Sequence, residues 1–158
     1  MSSTTETEVG YAKSPIQKTA LIVGIVFLVV GIAGFIPGLT HSAEHLHGVG
    51  ADSEAHLLGV FQVSVLHNLV HLVFGVAGLA AAARVRNSRL YLIIGGLVYL
   101  VVWLYGLIAV NNPQINFLPV NDADNWLHLV LAAGMILLGF FLARPARRSR
   151  SDTRSPRA

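Results

Sequence analysis

Hydrophobic positions in this chain gather into four long blocks rather than into the short periods of a soluble amphipathic fold. The blocks predict membrane-spanning helices at about residues 18–36, 63–83, 90–110 and 125–143. Roughly 18 apolar residues rising 1.5 Å each reach about 27 Å, enough for a hydrocarbon core. Polar tails are expected at 1–17 and 144–158, both read as disordered. Asn111-Asn112-Pro113 stops the third block, because proline removes a backbone donor and biases its predecessor away from helix. Lys13 and Lys18 before the first block also suit a cleaved signal peptide. The block exceeds the usual h-region of about 7–15 residues, and Thr40-His41-Ser42-Ala43 is a poor cleavage site, which favours an uncleaved span. The fold class expected is all-α, an integral membrane four-helix bundle.

Composition agrees with that pattern. Of 158 residues, 54% are apolar and 12% charged, and mean hydropathy is +0.63. A soluble domain carries about 25% charge. The isoelectric point near 9.7 and net charge of +3 would admit nucleic acid as a partner. Placement of the charge argues against it. The basic residues are Lys13 and Lys18, then Arg84, Arg86 and Arg89, then six arginines from Arg144 to Arg157, and each group flanks an apolar block. The two long connections, Pro37–Val60 and Asn111–Asp124, contain no Lys or Arg. Positive charge stays on the cytoplasmic side, so both termini and the Arg84–Arg89 turn are expected in the cytoplasm and both long loops outside a cell membrane. Trp126, Phe117 and Phe35 fall near one boundary and Tyr91 near the other, as an aromatic belt requires. With no cysteine, disulfides, thiolate metal sites and cysteine nucleophiles are excluded.

Polar residues at the start of an apolar block are costly, and here they recur. His67-Asn68-Leu69-Val70-His71 opens the second block, and Asp124-Asn125-Trp126-Leu127-His128 opens the fourth at an offset of 57 positions, Asn68 to Asn125. Blocks two and four should run in the same direction. The recurrence therefore suggests a parallel repeat of two helical hairpins, with His67, Asn68 and His71 facing Asp124, Asn125 and His128. Helical spacing stacks His67 on His71 and Asp124 on His128. Glycines and alanines four apart (Ala20/Gly24, Gly78/Ala82, Gly139/Ala143) would let helices approach closely, where lipid supplies no hydrophobic drive between them.

The segments LHNLVHLVFGVAGL and FLPVNDADNWLHLVL, together with the four-span plan, resemble the bacterial membrane family known as domain of unknown function 4383. The resemblance covers about residues 18–143. It implies four membrane helices in actinobacteria and relatives, and it brings no activity, cofactor or site residue.

The chemistry open to these residues falls into few classes. His67, His71, His128 and Asp124 could ligate a divalent metal, or two histidines could be axial haem ligands, which would make a redox or sensory protein. Alternatively each histidine donates to an asparagine or aspartate across the helices, and the cluster His67, Asn68, His71, Asp124, Asn125, His128 sets packing and register. A proton or ion path is a further alternative, but blocks one and three offer no charge to carry it inward. Asp122 and Asp124 also suit helix capping. His41, His45, His47 and His56 with Glu44 in the first loop could collect metal or sense pH, or form a solvated loop. Ser64 precedes His67 but lacks the partners of a nucleophile. The reading favoured is a non-enzymatic scaffold or accessory subunit, partnered by the bilayer and by a larger complex or a second copy, with no nucleic acid.

Overall fold

The computed structural model describes residues 10–142; the expected tails, apart from residues 10–17, lie outside the described residues. Four helices form the body: α1 Pro15–Ala33, α2 Val65–Ala81, α3 Val85–Ala109 and α4 Asp122–Phe141. The chain is an integral membrane bundle in which α1, α3 and α4 are long and apolar enough to cross a membrane. The fourth helix, α2, is apolar but has only 17 residues.

Local chemistry explains where the helices depart from the expected spans. Ser14 and Gln17 make a capping box, Ser14 Oγ accepting from Gln17 N and Gln17 Oε1 from Ser14 N at 3.0 Å, with Pro15 at the first turn. This starts α1 three residues before the expected 18 and ends it at Ala33. The expected turn at Arg84–Arg89 is mostly helix, since Arg84 is the N-cap of α3. Ser88 Oγ reaches back to Ala81 O at 2.9 Å and closes the corner.

The span expected at 63–83 is shortened at both ends. Ser64 is the N-cap of α2. At the far end the segment before α1 and the first turn of α1 supply donors to its last carbonyls: Ala12 N and Gln17 Nε2 both reach Ala82 O, at 3.1 and 2.9 Å, and Tyr11 Oη reaches Leu79 O at 3.1 Å. Helix-end carbonyls have no partner within their own helix, and a hydrocarbon environment offers none.

The first long connection was expected as a loop and is instead a small antiparallel sheet. Strands β1 Thr40–His41, β2 Ala55–Leu57 and β3 Phe61–Val63 pair in that order, with Thr40 opposite Leu57 and His56 opposite Gln62. Ala55, Leu57 and Val63 are buried against Val30, Ala33 and Leu46. The same connection caps α2, as Val65 N and Leu66 N bond His47 O and Gly48 O, each at 3.0 Å.

Helices α1 and α2 form one intimate pair and α3 and α4 the other. Between the pairs lies a ring cluster. Phe27 of α1 stacks on Tyr99 of α3 at 5.4 Å and 5°, and Phe74 meets both edge-on. Leu92, Ala132 and Met135 extend this core.

Candidate functional site

The six cluster residues occupy the first two turns of α2 and α4, and all six are buried. They meet at the end of the bundle that carries the sheet. His67 stacks on His71 at 4.7 Å, and the His67 and His128 rings lie 6.1 Å apart, so α2 and α4 face each other here. Phe27 and Tyr99 close the layer beneath, 5.5 Å from His71 and 5.3 Å from His128.

The two asparagines do the same thing in each hairpin. Asn68 lies against Gly34, the C-cap of α1, and Asn125 against Gly106 in the last turn of α3. A methyl group at either glycine would fall inside the asparagine amide. Below them the match continues: a methyl at Gly24 would lie 2.9 Å from Gly75 O, and one at Gly96 would lie 3.0 Å from Ala132 O. The offset from Gly75 to Ala132 is again 57, and Gly24 to Gly96, Phe27 to Tyr99 and Gly34 to Gly106 share an offset of 72. The stacked Phe27–Tyr99 pair therefore joins equivalent positions of the two hairpins.

The caps match as well. Ser64 Oγ accepts from His67 N at 3.1 Å, and Asn121 Oδ1 accepts from Asp124 N at 3.0 Å. Asp124 then differs from His67 in what it returns. Its Oδ2 accepts from Asn121 N at 3.1 Å, completing a capping box, and from Gln62 N of β3 at 2.9 Å. Asn121 Nδ2 also donates to Val60 O at 2.7 Å. Helix α4 is thereby tied to the sheet of the first hairpin. Of the two candidate capping acids, Asp124 closes the cap, while Asp122 is exposed.

Hydrogen bonds from histidine to asparagine or aspartate across the helices do not occur among the described residues. His71 Nδ1 instead donates to His67 O at 3.0 Å within α2. His67 Nδ1, Asn68 Nδ2, Asn125 Oδ1 and His128 Nδ1 are buried without a hydrogen-bond partner among the described residues. Asp124 turns to main-chain N–H groups rather than to the imidazoles. Among the described residues no three His, Asp or Glu side chains are disposed to hold one metal ion.

The loop histidines stand apart from this layer. His45 Nδ1 pairs with Glu54 at 3.2 Å on the exposed surface, and His56 Nδ1 meets Glu54 O at 2.8 Å. Ser64 serves as an N-cap.

Sequence reasoning missed the pairing of Gly34 with Asn68 and of Gly106 with Asn125, and the part played by Gln62. Gly106 and Gly34 were legible in principle, through the second offset of 72 between α1 and α3. Gln62 was not, because it contributes a main-chain N–H, which every non-proline residue carries.

The family model described as "Domain of unknown function (DUF4383)" matches residues 17–141. The chain belongs to that family. The DUF4383 segment runs from the capping Gln17 of α1 to Phe141, the last residue of α4, and so contains both hairpins, the sheet and the whole polar layer. No curated protein and no solved structure matches the chain.

Proposed function

We propose that this protein is a non-enzymatic scaffold or accessory subunit of the cell membrane, whose polar layer fixes how two helical hairpins dock. The observation that carries the reading is the seating of Asn68 on Gly34 and of Asn125 on Gly106 at equivalent places in the two hairpins. Such contacts set distance and register between helices where lipid gives little reason for one apolar face to prefer another. The exposed apolar faces of all four helices meet the bilayer, and a larger membrane complex or a second copy completes the assembly. The arginine-bearing ends lie in the cytoplasm and the sheet lies outside.

The test is an Asn68→Leu/Asn125→Leu double variant, purified in detergent and followed by thermal unfolding. The reading expects intact helix content at low temperature and a substantially lower melting temperature. An unchanged melt would sink it. Near-stoichiometric metal or a Soret band in the purified protein, lost in a His71→Ala/His128→Ala variant, would replace it with a redox or sensory role. Orientation is checked separately: the chain lacks cysteine, so single cysteines placed in the sheet or in the 82–84 corner report sidedness to a membrane-impermeant thiol reagent.

A further inference from the structure

The connection between α1 and α2 carries an apolar turn that the docking of the hairpins does not use. Residues 55–66 contain no Asp, Glu, Lys or Arg, whereas Glu44, Asp52 and Glu54 lie just before them. The turn between β2 and β3 presents Leu58, 62% exposed, and Val60, 49% exposed. Leu58 has a φ of 53°, in the left-handed region that asparagine or glycine adopts more readily than leucine. A turn that faces water has little use for an apolar residue there.

Three observations say what covers it. The first is depth. The buried side chains of the sheet pack against Val30 and Ala33, so the sheet lies alongside the last turn of α1 rather than beyond it. The second is continuity. Leu58 N donates to Leu39 O at 2.7 Å and Leu39 N to Ile36 O at 3.2 Å, and both Leu39 and Ile36 are exposed. The turn thus extends the exposed face of Val29 and Ile32 on α1, a helix apolar enough to cross a membrane. The third is the state of the main chain. Gly59 N donates to His56 O and Val60 N to Leu57 O, each at 3.1 Å. Along β3 side chains complete the pairing: Asn121 Nδ2 donates to Val60 O, Gln62 N donates to Asp124 Oδ2, and Ser53 Oγ donates to Val63 O at 2.6 Å. Water would not require this, but a bilayer does, because lipid chains offer main-chain groups no partner.

We propose that the β2–β3 turn is a membrane-inserted foot. Leu58 and Val60 sit in the leaflet at the sheet end of the bundle, at the boundary between head groups and acyl chains, with phospholipid as their partner. The polar part of the same connection, with Glu44, Asp52 and Glu54, stays in water above it. The proposal rests on the membrane crossing of the helices and not on the scaffold reading.

The chain lacks cysteine, so a spin label on a single Leu58→Cys variant of the full chain reads depth in phosphatidylcholine nanodiscs. Collisions are measured with oxygen, which concentrates in lipid, and with a water-soluble nickel chelate. Ile32→Cys supplies the lipid standard and Glu44→Cys the aqueous one. The oxygen-to-nickel ratio at Leu58→Cys should lie close to that of Ile32→Cys and several-fold above that of Glu44→Cys. Val60→Cys should give the same result from an ordinary backbone position, which keeps the test decisive if the variant at the left-handed residue does not fold. A ratio equal to that of Glu44→Cys would put the turn in water and overturn the proposal. A label shielded from both reagents would mean that protein, such as a second copy of the chain, covers the turn, and would overturn it equally.

Discussion

The hairpin α1–α2 and the hairpin α3–α4 share a packing scheme and differ in almost everything attached to it. Both place an asparagine on a glycine near the end of the preceding helix, and both bring backbones together one layer deeper. Both start the returning helix with a side-chain cap on the residue three positions on. Yet the first connection holds a three-stranded sheet, and the second is short and irregular. At the third helical position stands His67 in one hairpin and Asp124 in the other. A carboxylate accepts only, so Asp124 returns the cap and has capacity left for Gln62 N of the opposite hairpin. The repeat supplies the frame, and its acidic departure at Asp124 stitches the halves together.

A second asymmetry points the same way. Gly31 of α1 packs on Asn68 O and Leu72, while the equivalent residue of α3 is Trp103, whose Nε1 is buried without a partner among the described residues. Close backbone approach near the polar layer is therefore a property of the first hairpin, and a bulky side chain takes its place in the second.

The largest effect should come from attacking what the hairpins share. Gly34→Leu or Gly106→Leu puts a side chain where an asparagine amide already lies, and should cost about 3 kcal/mol or prevent folding, read by thermal unfolding in detergent. Comparable losses for the two would sharpen the equivalence of the hairpins; a tolerated substitution at either one would break it. Asp124→Ala should follow at about 2–3 kcal/mol, because it leaves the amides of Gln62 and Asn121 without an acceptor. Asp124→Asn should recover part of that in a denaturant titration, since one amide oxygen remains.

The caps come next. Ser64→Ala should cost about 1 kcal/mol, the ordinary loss of an N-cap. Asn121→Ala should cost about 1–2 kcal/mol, because the same side chain also holds Val60 O. Equal losses at the two caps would show that the bond to the sheet contributes nothing. Gln17→Leu should cost about 1 kcal/mol and increase hydrogen exchange at the end of α2, where its amide satisfies Ala82 O. The smallest effect is expected from Glu54→Gln. Its partner His45 is more than half exposed, so the pair should contribute about 0.5 kcal/mol or less, and the melt should be indistinguishable from that of the parent protein.

The hydrophobic pattern by itself determined the number of helices, their approximate places and the membrane as their environment, because an apolar block of helical length has few other ways to be stable. The offset between Asn68 and Asn125 also singled out six residues that the structure buries, with the His67 and His128 rings 6.1 Å apart. What those side chains do was decided only by the fold. A hydrogen-bonded histidine network was a fair reading of the residue types, but the bonds went to main-chain groups instead: His71 to His67 O, and Asp124 to Gln62 N. Main-chain donors and acceptors are the same at nearly every position, so a sequence cannot mark which of them will be near. The sheet was hidden for a related reason. Its strands are two or three residues long, too short for alternation to show, and they are held by burial of Ala55, Leu57 and Val63 against the end of α1.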